Sequence, residues 1–174
     1  MTAPGTVERL FETAAAIEKR MLDSYCRMRQ VFSRVPAAET FWLGLRNDEI
    51  DHIVQLDAIR RSLGPRELGQ PAGAILEKAV RILSELDPAD WETVENLGEA
   101  YDLACRWENS EANQLFILLA SSYVPERDRK DLAETVIEKH LERLMGFPET
   151  MGGTETMKRF RGEVPGKAER RNPV

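Results

Sequence analysis

Cysteine is nearly absent: the chain of 174 residues has two, Cys26 and Cys105, far apart and without a CxxC pair. That argues against a disulfide scaffold and against a zinc ribbon. No uncharged apolar run approaches the roughly 18 residues needed to cross a bilayer, so no membrane partner is expected. Met1 to Gly5 lack the basic and apolar regions of a secretory signal, and a cytoplasmic address is the expectation. An excess of basic charge is missing too. With 24 Lys+Arg against 30 Asp+Glu the formal net charge is -6, a poor match to a phosphate backbone, so nucleic acid is not expected as a partner. Strand-type alternation is lacking throughout, and proline and glycine are sparse until the end of the chain. What is present is 42% hydrophobic and 31% charged residues, the composition of one soluble globular domain.

The stretches between the few breakers carry helical spacing. Thr6 can cap a first helix, with Glu8 at its positive end and Val7, Leu10, Phe11, Ala14, Met21, Leu22, Tyr25 and Met28 at apolar positions, stopping near Val35-Pro36. A second helix is expected from about Ala38, with Trp42, Leu45, Ile53, Leu56 and Ile59, ending before Gly64-Pro65. Residues 64–73 connect it to a short amphipathic helix near residues 75–86, which Asp87-Pro88 interrupts. A third long helix is expected over residues 89–123, with Leu97, Tyr101, Ala104, Leu115 and Leu119 aligned. Pro125 opens a fourth, with Leu132, Val136, Ile137, Leu141 and Leu144 inward, ending at Gly146-Phe147-Pro148.

The expected fold class is therefore all-α, a four-helix bundle over residues 1–148. Short turns make hairpins of helices 1–2 and 3–4. The link of about 25 residues between helices 2 and 3 spans roughly 38 Å even if wholly helical, enough for one long crossover. Residues 149–174 differ in kind, rich in Gly, Pro, Lys and Arg, and are expected to be a disordered or partner-contacting tail.

The informative residues are polar ones on the apolar stripes. Glu18 follows Phe11 and Ala14 and precedes Met21 and Tyr25. Glu49 and His52 interrupt the line Trp42, Leu45, Leu56, Ile59. Glu108 follows Tyr101 and Ala104, and His140 lies between Ile137 and Leu144. An unpaired buried carboxylate costs several kcal/mol, so such groups are tolerated when paired, protonated or bound to a cation. Three glutamates and both histidines of the chain facing one axis call for a positive centre, which a metal supplies. In Glu49-Ile50-Asp51-His52 the carboxylate and imidazole stand three residues apart, on one helical face, and can reach a common ion. Carboxylates with imidazole suit iron or manganese, and the lack of cysteine disfavours structural zinc. Glu111 competes with Glu108 for the same role, and His140 is equally readable as a hydrogen-bonded core histidine.

Three stretches carry a resemblance: AAAIEKRMLDSY at residues 14–25, FWLGLRNDEIDHIVQL at Phe41–Leu56 and LACRWENSEANQLF at Leu103–Phe116. Over about residues 6–147 the chain resembles the rubrerythrin branch of the ferritin-like superfamily. That family carries an Ala-x-x-x-Glu helix followed by a Glu-x-x-His helix, twice over. The first half, Glu18 with Glu49 and His52, is complete. The second is not, because Ile137 stands three before His140 where the family has a bridging Glu. Glu138 and Glu134 lie off the His140 face by roughly 160° and 120° at 100° per residue. Either Glu108 and His140 hold a second metal more weakly, or Glu111 helps, or a single metal binds.

The resemblance implies two irons, with manganese as the substitute, and oxidation of Fe(II) by O2 or peroxide at a carboxylate and histidine site. Glu18 and Glu108 would be terminal ligands, Glu49 a bridge, and His52 and His140 one ligand for each metal. It implies a non-haem di-iron oxidoreductase of ferroxidase or peroxidase type if both positions fill. With only Cys26 and Cys105, the chain would depend on an external electron donor, and a homodimer is expected by analogy. The alternative is a degenerate ferritin-like module that acts in protein interaction or single-metal sensing without turnover. Tyr25 and Tyr101 are read as core aromatics or as donors to a glutamate, and Trp42 and Trp107 as packing residues.

Overall fold

The computed structural model describes residues 5–108, 111–124 and 139–162, apart from the side chains of Glu111 and Ala112. Among these residues every regular element is helical, with two isolated bridges, Thr6–Pro71 and Asn96–Arg161, and no strand. The protein is all-α, and no described helix is long and apolar enough to cross a membrane.

Helix α1 (Val7–Val31) starts where Thr6 Oγ1 accepts from the Arg9 amide, with Glu8 in its first turn and Arg29 in its last, each charge opposing the helix dipole. Helix α2 (Pro36–Ser62) opens on a proline, whose missing N–H has no intrahelical partner to lose at that position. The two run antiparallel, tied at one end by Arg60 to Glu8 at 2.7 Å and at the other by Arg29 to Glu39 at 2.9 Å. These ties are partly exposed and add little. The hairpin is held by the apolar stripes between them.

The link after α2 contains α3 (Pro65–Leu68) and α4 (Gly73–Glu85). Its course follows α1 from end to end. Val7 N donates to Gln70 O near the start, Arg20 Nη1 donates to the last carbonyls of α4 at Leu83 and, at 3.0 Å, Leu86, and Arg27 reaches Glu92. Leu76, Ala79 and Ile82 are buried from α4.

Two expected boundaries change. The third helix does not begin at residue 89: Pro88–Glu92 is a 3-10 turn and α5 is Leu97–Glu108. Asn96 sets that start, its Oδ1 accepting from Glu99 N at 3.1 Å while Glu99 Oε2 accepts from Glu95 N at 2.8 Å, a reciprocal cap. Helix α6 is Glu111–Tyr123. Residues 139–150 form α7; the expected start at Pro125, with Leu132, Val136 and Ile137, lies outside the described residues. Its end is not at 146–148. The helix continues through Pro148, which has no N–H to offer the Leu144 carbonyl four residues back. Tyr101 Oη donates to that carbonyl instead, at 3.2 Å.

The segment read as a tail is also packed as far as Gly162. Gly152 and Gly153, at φ +74° and +97°, turn the chain after α7 into α8 (Thr154–Met157), a conformation that suits glycine. Met157 is fully buried, and Leu97 N donates to Phe160 O at 2.9 Å. Residues 163–174 lie outside the described ones.

Side-chain pairs give the directions of the later helices. Glu108 meets Tyr25 and Tyr123 meets Phe11, so α5 and α6 run against α1. His140 meets Asp48 and Phe147 stacks on Phe41 at 3.8 Å, so α7 runs against α2. One end of the interior is aromatic, with Tyr25, Trp42, Trp91 and Trp107 in mutual ring contact. Polar side chains occupy the middle.

Candidate metal centre

Glu18, Glu49, His52, Glu108 and His140 are all buried, none more than 2% exposed. They come from α1, α2, α5 and α7, and their donor atoms form two groups. Glu18, Glu49 and His52 make one and Glu49, Glu108 and His140 the other, with the atoms of each within 4.8 Å of one another. Glu49 belongs to both. The five residues singled out on separate stripes thus meet in one place. The side chain of Glu111 lies outside the described ones, as do Glu134, Ile137 and Glu138.

The local sequence explains the convergence. Glu49 and His52 are a turn apart on α2, and His52 Nδ1 lies 3.2 Å from Glu18 Oε2 and 3.3 Å from Glu49 Oε2. The imidazole stacks on Phe116 of α6 with centroids 4.5 Å apart, and its Nε2 has no partner. Its ring lies 5.7 Å from that of His140. The last residue of α5, Glu108, is fixed on both oxygens: Tyr25 Oη donates to Oε1, and Asn113 Nδ2 donates to Oε2 at 3.0 Å. Tyr25 is therefore the donor to a glutamate that the sequence suggested, whereas Tyr101 serves the Leu144 carbonyl.

His140 is held from outside the cluster. Its Nδ1 lies 3.1 Å from Asp48 Oδ2, and Arg143 Nη1 donates to that same oxygen at 2.8 Å. With Asp48 accepting from Nδ1–H, the lone pair of a neutral ring sits on Nε2. Nε2 approaches Glu108 Oε2 to 2.8 Å without the alignment of a hydrogen bond. A neutral nitrogen and a carboxylate oxygen that close repel each other, and a proton or a cation near both relieves the repulsion. Asp48, Asn113 and Arg143 were not found from the sequence. Asp48 precedes Glu49 directly and so leaves its face by 100°, and apolar periodicity gives no signal for a partner off the stripe.

Glu49 is the least compensated group. It is 0% exposed, and neither of its oxygens accepts an aligned hydrogen bond among the described residues, although His52 Nδ1 lies 3.3 Å from Oε2. Burial, then the charges of Glu108 and Glu18, push its carboxyl well above the usual range. For Glu18 burial acts the same way, but the hydrogen bond and charge of His52 outweigh it and the carboxyl is lowered. Burial pulls both imidazoles down, and the carboxylates reverse that. His52 is raised by Glu18, and His140 is raised to about 10 by Glu108 and Asp48. Burial and the charge of Glu108 also raise Tyr25, keeping its hydroxyl a donor.

The donor set fits a divalent cation on two counts. Three carboxylates and two imidazoles are oxygen and nitrogen donors of the kind that bind a divalent cation. The unpartnered oxygens of Glu49 point into the space that both groups share. An imidazole braced by a carboxylate on its far nitrogen is a common arrangement around bound metal. No family model, no curated protein and no solved structure matches this chain.

Proposed function

We propose that the chain is a metal-binding redox protein of rubrerythrin or ferritin-like type, with iron as the metal and manganese as its substitute. In this reading the four helical runs α1, α2, α5–α6 and α7 form a four-helix bundle, and the link through α3 and α4 is its long crossover. Glu49 would serve both metals, Glu18 and Glu108 would serve one each, and His52 and His140 would each add a nitrogen to one of them. Bound iron would supply a one-electron couple that passes electrons to O2 or peroxide, with an external donor returning them.

The chain's own residues do the rest. Tyr25 and Asn113 hold Glu108 at a fixed angle, Asp48 holds the His140 ring, and the apolar shell of Phe116, Leu45 and Leu56 keeps bulk water from the centre. The single observation that carries the reading is Glu49: a fully buried carboxylate that accepts no aligned hydrogen bond among the described residues and is grouped with two other carboxylates and two imidazoles. The test is anaerobic loading with Fe(II), gel filtration and metal analysis, followed by exposure to air. Stoichiometric iron in the wild type but not in Glu49→Ala is the expected result. Iron no higher than in that variant overturns the reading.

A second reading has its own support. Protons on His52, His140 and Glu49 would leave two positive rings against Glu18 and Glu108, a neutral interior without metal. The chain would then be a degenerate helical module acting through its surface. The same metal analysis separates the two.

A further inference from the structure

The sequence suggests that the Glu108–His140 position is the poorer one, because Ile137 stands where a second bridging carboxylate is expected. That ranking does not follow from chemistry. A bridging ligand serves both metals, so its loss is shared between the positions. What separates them is the support behind each imidazole. His140 has Asp48 on its Nδ1, and Asp48 is held by Arg143. His52 Nε2 has no hydrogen-bond partner among the described residues. The sequence shows the same asymmetry, since Asp48 precedes Glu49 while Val136 precedes Ile137.

Gly44 is part of this support. A Cβ placed there would lie 2.5 Å from Arg143 Nη1 and 2.7 Å from its Cδ and Nε. The guanidinium therefore occupies the space that any other residue at position 44 would fill. From there it donates to Asp48, one helical turn further along α2. The carboxylates differ in the same direction, because Glu108 is fixed by Tyr25 and Asn113 whereas Glu18 contacts only groups of the cluster itself.

We infer that Gly44, Arg143 and Asp48 are positioning residues that make the Glu49–Glu108–His140 position the tighter of two unequal divalent-cation positions, filled before Glu18–Glu49–His52. This rests on the metal-binding reading above. Carboxylate support behind a metal-bound histidine is worth about 10–100-fold in affinity, and that is the expected separation between the two steps.

The probe is Mn(II), titrated into the metal-free full-length chain and counted by the loss of the free-ion resonance. Wild type is expected to bind in two steps. Glu18→Gln should abolish the weak step and keep the tight one, and Glu108→Gln should do the reverse. Asp48→Asn, close in size and shape, should weaken the tight step about 10–100-fold and leave the weak step in place. Gly44→Ala and Arg143→Ala should act in the same direction, with a melting temperature recorded for each. A merely structural role would lower the melting temperature and weaken both steps together, and that result overturns the inference. So does loss of the tight step in Glu18→Gln, or a wild type with two equal steps. In those cases the metal-binding reading survives. A wild type that takes up no Mn(II) and no Fe(II) overturns both.

Discussion

Trp42 and Glu49 lie two turns apart on the same stripe of α2, and both are completely buried. Their surroundings stabilise them by opposite means. Around Trp42 the rings of Tyr25, Phe41 and Trp91 pack edge to face or offset, and burial of the ring is the favourable term, set against an indole N–H that finds no partner among the described residues. Around Glu49 burial is the cost, and what lowers it is positive charge from protons or from a cation. The aromatic end of the interior therefore serves stability directly. The polar middle does so only when its charge is balanced, which makes it the part of the molecule on which pH, and under the metal-binding proposal a cation, would act.

The largest effect that would sharpen this contrast is on metal capacity. Glu49→Ala removes the one side chain shared by both donor groups, and iron or manganese content after loading should fall to background. Atomic absorption on the desalted protein checks it. At the aromatic end the corresponding change is energetic: Phe147→Ala deletes a ring stacked on Phe41 and should cost about 3–5 kcal/mol in urea unfolding, with metal content per folded chain unchanged. A Phe147→Ala protein that folds but cannot hold metal would erase the distinction between the two regions.

A third change should be smaller and of opposite sign. Replacing Glu49 by leucine in chelator-treated protein removes a buried carboxyl that accepts no aligned hydrogen bond among the described residues. It should leave stability unchanged or raise it by about 1–4 kcal/mol. A clear loss of stability would mean that Glu49 has a compensating partner without metal.

The pH dependence gives the finest distinction. The His140 imidazole is raised to about 10 in the folded chain, against about 6.5 when unfolded. Its contribution is fully present below about pH 6.5 and is lost as pH rises through about 10. Glu49, also raised, adds to the loss on the alkaline side of the carboxylate range. Glu18 is lowered and contributes in the opposite sense, losing stability only on acidification below its unfolded value. The melting temperature of chelator-treated protein should therefore decline from about pH 6.5 to 10. Saturating Mn(II) should flatten or invert that slope, because metal binds the deprotonated imidazole.

Much of this was legible along the chain because helical burial writes a period into the sequence. The apolar stripes and the Thr6 cap located α1 and α2, and the interruptions of those stripes picked out Glu18, Glu49, His52, Glu108 and His140, all of which are buried together. What failed did so where a boundary depends on a distant group. Pro148 reads as a stop, yet α7 passes through it because Tyr101, on α5, takes up the freed carbonyl. The Gly- and Pro-rich segment after Glu149 reads as an appendage, yet Met157 and Phe160 find their partners on and before α5.

By itself the sequence determined that the protein is helical and which faces are apolar, and it singled out five ionisable side chains on those faces, with Glu111 left as an alternative to Glu108. Each of these follows from spacing within one helix. Only the tertiary structure decided that Glu49 is common to both donor groups, that Asp48 stands behind His140 while no described residue bonds to His52 Nε2, and that Arg143 fills the space over Gly44. Those relations join residues on different helices, where the separation in space is set by how the helices pack and leaves no period along the chain.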